Sequence, residues 1–205
     1  MLNTGTTRAQ KKAHQIMEGA AQIFDQHGFE GASVDMIAEA ADVSKATLYK
    51  YFANKQELFK AVIQRQCKFY SGRIAELSEV DGTLEDNLRA IARTIGQTFT
   101  SPVLANLYRL AIAEATRFPE AGRTFYESGP QTGEILTTKI LQKHIDSGEL
   151  DIDDVPLAAR QFQELIKADF FHVAIFGIRT DFTQADIEKS AEAAVQTFLR
   201  AYRTR

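Results

Sequence analysis

A short stretch near the start of the chain concentrates side chains that can bind an anion or donate hydrogen bonds. Lys45 and Lys50 carry ammonium groups, and Thr47, Tyr49 and Tyr51 carry hydroxyl groups. The stretch has no nucleophile paired with a base, so its chemistry is recognition rather than bond cleavage. Ammonium and hydroxyl groups bind phosphate oxygens, and hydroxyl groups also reach the edges of bases. The stretch is therefore a candidate contact for a phosphate polymer.

Two short helices separated by a turn are predicted to present these side chains. The first helix follows Ser33, which is an N-cap candidate. Its buried face carries apolar residues at steps of three and four: Val34, Ile37, Ala38 and Ala41. Asp42-Val43-Ser44 then interrupts the pattern as a turn. Because the Ser44 hydroxyl can accept a hydrogen bond from free N–H groups, the chain is expected to restart there as a second helix.

The second helix is expected to expose its polar side chains. Ala46, Leu48 and Phe52 are its inward or close-packing positions, which leaves the lysines, the threonine and both tyrosines free to point outward. Lys45 at the first helical position opposes the positive end of the helix dipole, and a nearby anion would resolve that conflict. DNA phosphate is such an anion. The pattern therefore indicates a helix-turn-helix whose second helix lies in the major groove.

The residues around these helices resemble the N-terminal domain of TetR-family transcriptional regulators. The resemblance is carried by Phe24, Gly28, Phe29, Ile37, Ala38, Ala41, Val43-Ser44-Lys45, Leu48-Tyr49, Tyr51-Phe52, Lys55 and Leu58. Asp42 and Ala46 stand where the family commonly has glycine. Because aspartate tolerates turn conformations and alanine fits a helix, these departures are expected to leave the fold unchanged.

The resemblance implies an all-α fold of about nine helices. An N-terminal three-helix DNA-binding domain would precede a C-terminal helical domain for ligand binding and dimerisation. It also implies phosphate contacts by Tyr49 and Lys55; a packed tyrosine and a solvated lysine are the alternative. The candidate DNA-binding residues are Ser33, Ser44, Lys45, Ala46, Thr47, Tyr49, Lys50, Tyr51 and Lys55.

The overall charge would not identify a DNA-binding protein. The net charge is -3, with eight Lys or Arg and seven Asp or Glu in residues 1–65, and sixteen and twenty in residues 66–205. The basic residues instead cluster locally, around the predicted turn and at Arg8, Lys11 and Lys12. The latter cluster is either a solvated tail or an arm that follows the DNA backbone.

The chain is predicted to divide into three segments. These are a helix-turn-helix domain over 8–53, a connecting helix over 54–78, and a ligand-binding and dimerisation domain over 79–205. Val80-Asp81-Gly82 is expected to form the turn after the connecting helix. No segment has the pattern of a strand.

Several residues are expected to end or begin helices. Gly28 should end the first helix in a left-handed conformation, which would bring Phe24 into contact with Phe29. Gly129-Pro130 should break or kink a helix that begins near Pro119. N-cap positions are predicted at Ser33, Ser44, Asn54, Thr83, Ser101 and Thr183.

The last two helices are predicted from Pro156 to Phe176 and from Thr183 to Tyr202. The first of them is apolar on more than one side, which suggests a partner beyond the subunit's own core. In TetR-like proteins the last two helices pair with those of another subunit as a four-helix bundle, so the resemblance implies a homodimer. A broad internal core would give the same pattern.

The C-terminal half has enough aromatic residues to line an apolar pocket with few polar groups, although most aromatics at helical spacing belong to a core. Arg117-Phe118-Pro119-Glu120 to Gly129-Pro130 resembles a TetR subgroup with an AefR-like C-terminal domain. The candidate ligand-binding residues are Phe69, Phe99, Tyr108, Phe118, Phe125, Tyr126, Phe162, Asp169 and His172. A metal site at Asp169 and His172 would need a third ligand, and none is evident, so no metal or other cofactor is expected.

Composition places few further limits on the protein. An apolar content of 44% over 205 residues is ample for a core. Cys67 is the single cysteine, which excludes an internal disulfide and suits a reducing compartment. No apolar run of about 18 residues occurs, and Met1 to Gly19 lacks an apolar signal-peptide core. A soluble cytoplasmic protein without a membrane partner, located on the nucleoid when bound to its operator, is expected.

These features together predict a homodimeric transcriptional regulator, most simply a repressor that binds a palindromic operator in double-stranded DNA. A small, mainly apolar effector would release it. A nucleoid or division-control factor with this fold and no inducer is the alternative, and dispersed genomic sites would favour it. An enzyme is not expected, because the chain has no nucleophile with a base, no metal-ligand cluster and no phosphate-binding glycine loop.

Overall fold

The computed structural model describes residues 7–78 and 82–204. Within these ranges no β-strand occurs, and the β-pairing is limited to one isolated bridge between Leu150 and Arg203. The helices are α1 (Arg8–Gly31), α2 (Val34–Ala40), α3 (Lys45–Tyr51), α4 (Lys55–Ser78), α5 (Leu84–Phe99), α6 (Pro102–Glu114), α7 (Pro119–Tyr126), α8 (Thr132–Asp146), α9 (Val155–Lys167), α10 (Phe171–Ile175) and α11 (Gln184–Tyr202). The predicted all-α fold is confirmed. None of these helices is both long enough and apolar enough to span a bilayer.

The described residues pack into two compact units. The N-terminal unit extends to Gln66 and includes Leu110–Phe125, and the C-terminal unit consists of Cys67–Arg109 and the residues from Tyr126 onward. The boundary of packing therefore lies within α4. The predicted segment limits at residues 53 and 78 stay a prediction.

Three aromatic rings form the centre of the N-terminal unit. The ring centroids of Phe24 and Phe29 lie 5.9 Å apart, and Phe59 lies 4.9 Å from both. Gly28 makes the first contact possible, since its φ of 69° and ψ of 177° reverse the chain between the two phenylalanines. The predicted positive φ and aromatic contact are confirmed, but the prediction that Gly28 ends the helix is wrong, since α1 continues beyond this kink to Gly31. The ψ value differs from a left-handed helical cap and lies in a region that essentially only glycine occupies.

Side-chain hydrogen bonds begin five of the described helices at residues that the sequence predicts as N-caps. The hydroxyl oxygens of Ser33 and Ser44 accept hydrogen bonds from backbone N–H groups at 3.1 and 3.0 Å, and the Asn54 amide oxygen accepts one at 2.8 Å. Thr83 and Thr183 cap α5 and α11 in the same way. These caps fix where each helix starts because they satisfy N–H groups that the helix itself leaves free.

The core of the C-terminal unit lies among α5, α8, α9 and α11. Phe162 of α9 and Phe198 of α11 are buried, with ring centroids 4.9 Å apart. Leu88 and Ile91 of α5 are fully buried in the same cluster. The end of α11 is fastened to the loop before α9 by a hydrogen bond of 2.9 Å from the Asp151 N–H to the Tyr202 carbonyl.

The prediction of one continuous helix from Pro156 to Phe176 is wrong, because α9 ends at Lys167 and the chain forms a turn before α10. The Phe170 N–H donates to the Lys167 carbonyl at 3.0 Å, and α10 begins at the next residue. This turn buries Phe170, whose ring lies 5.4 Å from that of Phe182. The second apolar side of the predicted helix is thus explained in part by a change of direction within the unit.

The predicted break at Gly129-Pro130 takes the form of a π-helical turn, Glu127–Gln131, between α7 and α8. Proline has no N–H to donate, and a wider turn accommodates it without ending the helix. This turn and the break after α9 raise the helix count among the described residues from the expected nine to eleven. The turn predicted at Val80-Asp81-Gly82 lies mostly outside the described residues.

We expect Gly28→Ala to destabilise the N-terminal unit by about 1–3 kcal/mol, because a Cβ atom strains the backbone at this φ and ψ. The midpoint of urea unfolding, followed by circular dichroism, measures the effect. Gly31→Ala is the matched control, since Gly31 ends the same helix without a positive φ and its added Cβ meets only an ordinary contact. Equal stability of the two variants would contradict the claim that the backbone at Gly28 requires glycine.

Candidate nucleic-acid interface

Helix α3 is anchored through one fully buried residue, Leu48. Lys45, Tyr49 and Lys50 are exposed, with Tyr49 at 45%. Ala46 is exposed as well, so the prediction that it packs inward is wrong. Residues two apart on a helix lie on nearly opposite sides, and burial of Leu48 therefore turns the alanine outward.

The remaining candidates around α3 are less free than predicted. Thr47 and Tyr51 are half-buried rather than fully outward, and Phe52, which follows α3, is half-buried too. The Thr47 hydroxyl also lies 2.8 Å from the Ser44 hydroxyl at the N-terminus of the helix. The exposed face of α3 consequently consists of Lys45, Ala46, Tyr49 and Lys50.

The turn between α2 and α3 has a defined hydrogen-bonded geometry. The Val43 N–H donates to the Ala38 carbonyl at 3.0 Å, and the Asp42 N–H donates to the Glu39 carbonyl at 3.0 Å. This is a Schellman ending, which places its penultimate residue in the left-handed region. Asp42 occupies that position with a φ of 49°. Aspartate thus adopts the turn conformation for which the resembling family commonly uses glycine.

Helix α1 supports this turn through two residues that the sequence reasoning missed. The Gln15 side-chain amide donates to the Ala41 carbonyl at 2.6 Å. Gly19 is buried so close to α2 that an added Cβ would lie 2.7 Å from the Ala41 nitrogen. A glycine inside a helix lowers helix stability, so its presence was a signal of close backbone approach. Gln15 carried no comparable signal.

The lysines near α3 are engaged within the N-terminal unit to different degrees. The Lys55 ammonium donates to the Phe29 and Ala32 carbonyls at 2.8 and 3.0 Å and lies 4.5 Å from the centre of the Phe29 ring. The Lys45 ammonium pairs with Asp35. Two of the three Lys55 donors are therefore directed at the chain itself, and its predicted phosphate contact stays a prediction.

Basic residues at the start of α1 remain accessible. Arg8 and Lys11 are exposed, whereas the Lys12 ammonium donates to the Gln15 side chain at 2.9 Å. Lys12 therefore belongs to the group that supports the turn, through Gln15. The choice between a solvated segment and an arm along DNA is open for the other two.

One aromatic group of the C-terminal unit joins two of the predicted ligand-binding residues. The ring centroids of Phe99 and Tyr108 lie 5.9 Å apart, and the ring of Phe171 lies 5.9 Å and 5.1 Å from them. The Lys167 ammonium lies 5.2 Å from the Phe99 centroid. Burial, with a smaller effect of the Glu164 charge, raises the pKa of Tyr108 to about 12. These groups form a half-buried aromatic wall with a neutral phenol.

Of the other predicted ligand-binding residues, His172 lies beside this group, with its ring centroid 5.5 Å from that of Phe171, and the rest lie elsewhere. Phe118 and Phe125 belong to the N-terminal unit, where the Phe118 ring lies 6.1 Å from that of Phe29. Phe162 is fully buried in the core of the C-terminal unit. Four residues are exposed: Phe69, Tyr126, Asp169 and His172. Helical spacing did not reveal this because it reports which residues share a face and not which faces meet.

Two family profiles match the chain. Residues 16–62 match the profile "Bacterial regulatory proteins, tetR family", and residues 86–204 match "AefR-like transcriptional repressor, C-terminal domain". The second match covers more than half of the chain. The chain belongs to the TetR family of transcriptional regulators. Both resemblances found in the sequence are thereby confirmed, and the helix-turn-helix of this TetR-family regulator is its DNA-binding element.

Solved structures and curated relatives agree with this assignment. A TetR-family transcriptional regulator from Mesorhizobium loti MAFF303099 is 31% identical with a TM-score of 0.89, covering 97% of this chain and 100% of that one. The flavonoid-responsive regulator FrrA is 34% identical with a TM-score of 0.79, covering 95% and 98%. The transcriptional repressor AcnR of Corynebacterium glutamicum is 34% identical over 71 residues. That match spans only 35% of this chain and 36% of AcnR.

We expect Lys55→Met to lower the free energy of unfolding by about 1–2 kcal/mol, because two carbonyl groups lose a charged hydrogen-bond donor. The midpoint of urea unfolding measures this change. Lys50→Met removes an exposed lysine from α3 and should change stability by less than about 0.5 kcal/mol. A Lys55 variant as stable as the parent would contradict a stabilising role for these two hydrogen bonds.

Proposed function

We propose that this TetR-family regulator is a ligand-responsive repressor. It binds a palindromic operator as a homodimer, and a small, mainly apolar effector releases it. The observation that carries the DNA-binding part is the exposed face of α3. This face carries Lys45, Ala46, Tyr49 and Lys50, and the buried Leu48 anchors the opposite side of the helix. A short helix held by one buried side, with cations and hydroxyl groups on the other, suits the major groove.

The residues of this face divide into two roles. Tyr49 and Lys50 reach phosphate oxygens and hold the protein on the duplex, since such contacts carry little sequence information. Ala46 and Thr47 lie in the first turn of α3 and read base edges, where a methyl group suits thymine and a hydroxyl group suits several bases. Ser33 and Ser44 lie at helix N-termini, whose free N–H groups favour a phosphate.

A homodimer supplies the two recognition helices that a palindrome requires. The last part of the C-terminal unit supports a dimer interface on α9 and α11. On α11 the side opposite the core carries the small exposed residues Ala185 and Ala193 beside Lys189, Gln196 and Arg200, and small side chains permit close helix packing. On α9 the apolar Leu157 is 41% exposed. A four-helix bundle with the partner's α9 and α11 would cover both.

The effector binds in the C-terminal unit beside the aromatic wall of Phe99, Tyr108 and Phe171. Aromatic walls bind flat apolar molecules. The description of the related FrrA as flavonoid-responsive supports an aromatic effector. The effector acts by binding more tightly to a dimer whose recognition helices no longer match successive major grooves, because equal affinity for both states would shift nothing.

One family profile and one relative favour repression over activation. The matched C-terminal profile is described as that of a transcriptional repressor, and AcnR is a transcriptional repressor. Selection of duplexes from a random pool by the purified protein tests the proposal and yields the operator. Genome-wide footprinting then locates the binding sites in the genome. One or a few palindromic sites near promoters support a regulator, whereas dispersed sites favour the nucleoid or division-control alternative.

We expect Tyr49→Ala to weaken binding to operator and to unrelated duplex alike by about fivefold to tenfold, since it removes a phosphate contact. Thr47→Val should instead change which duplexes are selected from the pool. Fluorescence anisotropy measures the first effect and repeated selection the second. Tyr126→Ala removes a tyrosine of similar exposure, 51%, outside the helix-turn-helix and serves as the control. Unchanged DNA affinity of the Tyr49 variant would refute the docking geometry.

We expect Phe171→Ala to raise the effector concentration needed for release from the operator by about tenfold, because one aromatic contact is lost. Compounds found to dissociate the protein–DNA complex serve as probes, and the concentration for half release is measured. Phe176→Ala is the control, since Phe176 lies on the same segment, is 73% exposed and is outside the aromatic wall. Equal effects of the two substitutions would argue against an effector at this wall.

A further inference from the structure

An ion pair joins the two helices of the helix-turn-helix at their N-terminal ends. The Lys45 ammonium lies 2.9 Å from one carboxylate oxygen of Asp35 and 3.0 Å from the other. Asp35 lies in the first turn of α2, and Lys45 is the first residue of α3. Both side chains are exposed, at 72% and 51%. The acid therefore lies on the same accessible surface as a cation of the proposed DNA contact.

The position of the pair has a simple electrostatic cause. The first turn of α3 contains no acidic residue, so its positive helix end and the Lys45 charge are both left without a counterion on their own helix. Asp35 supplies that negative charge from α2. The hydrogen bond from Lys45 to Asp35, together with the charge of the carboxylate, raises the pKa of Lys45. The lysine is thus charged and already occupied when DNA approaches.

We propose that Asp35 restrains Lys45 and thereby limits the strength and the salt dependence of DNA binding. The inference rests on the proposed function, in which α3 faces phosphate. To bind a phosphate oxygen, the ammonium must first leave the carboxylate, which is then left beside a polyanion. Because the protein itself supplies the first counterion, fewer ions are released on binding than the number of lysines suggests.

An exposed ion pair is weak enough for this exchange to occur, since solvent screens both charges. A base contact made elsewhere on α3 can offset the cost at an operator. An unrelated duplex offers no such contact. Asp35 is therefore a repulsive element that lowers sequence-independent binding, and specificity commonly depends on elements of this kind.

Asp35→Asn tests the proposal, with Glu39→Gln as the matched control. Each substitution removes one exposed negative charge from α2 without changing the size of the side chain. Within the described part of the chain, Glu39 has no ion pair with a lysine of α3, whereas Asp35 has one. Fluorescence anisotropy with operator and with unrelated duplex, at salt concentrations from 50 to 200 mM, gives the affinity and its slope against salt.

On an unrelated duplex, where no base contact draws the parent's Lys45 away from Asp35, release of Lys45 adds one phosphate contact per subunit. The affinity advantage of Asp35→Asn in a dimer on that duplex should therefore grow about tenfold as salt falls from 200 to 50 mM. Glu39→Gln should leave the salt slope unchanged. In a Lys45→Ala background, Asp35→Asn should lose most of its effect, because no lysine remains to be released. Thermal unfolding confirms that each variant is folded.

Three results would overturn the inference. These are an unchanged salt slope in Asp35→Asn, an equal change in Glu39→Gln, or an Asp35→Asn effect that persists fully without Lys45, which would indicate repulsion at a distance. Failure of the proposed function is distinct from all three, because the parent protein would then bind no duplex at any salt concentration.

Discussion

The close approach of α1 to the turn between α2 and α3 is the contact on which the DNA-binding surface depends. Gly19 leaves room for the Ala41 backbone, and Gln15 binds the Ala41 carbonyl. With the end of α2 held in this way, the Schellman ending at Asp42 fixes the direction in which the chain leaves it. Burial of Leu48 then determines which side of α3 faces solvent. The exposed cations and hydroxyl groups are thus a consequence of packing behind them.

The lysines of this surface illustrate why composition is a poor guide to DNA binding. The chain is acidic overall, and the two lysines closest to helix N-termini are already bound within the protein, one by Asp35 and one by two carbonyl groups. Lys55 fastens the end of α1 and the residue that follows it to the start of α4, and so stabilises the domain that presents α3. Lys45 is held more loosely, because its partner is a single exposed carboxylate. Position, rather than number, separates a structural lysine from one that can exchange partners.

The C-terminal unit combines a closed core with a half-buried aromatic wall. Phe162 and Phe198 fill the core, and the turn after Lys167 turns Phe170 inward while Phe171 joins Phe99 and Tyr108. The turn after α9 lies next to both groups, since Phe170 ends it and Phe171 begins α10.

The sequence determined the all-α fold, the helix starts and the helix-turn-helix, because caps, glycines and helical spacing act over a few residues. Ser33, Ser44 and Thr183 cap helices through neighbours three positions away, and Gly28 is required by its own backbone. Only the tertiary structure decided which partners meet across the chain. Asp35 pairs with Lys45 ten residues away, and Lys55 binds carbonyl groups more than twenty residues before it. The division of the aromatic residues between two units likewise depends on distant parts of the chain. Such contacts depend on how helices pack, and packing depends on the whole set of buried faces at once.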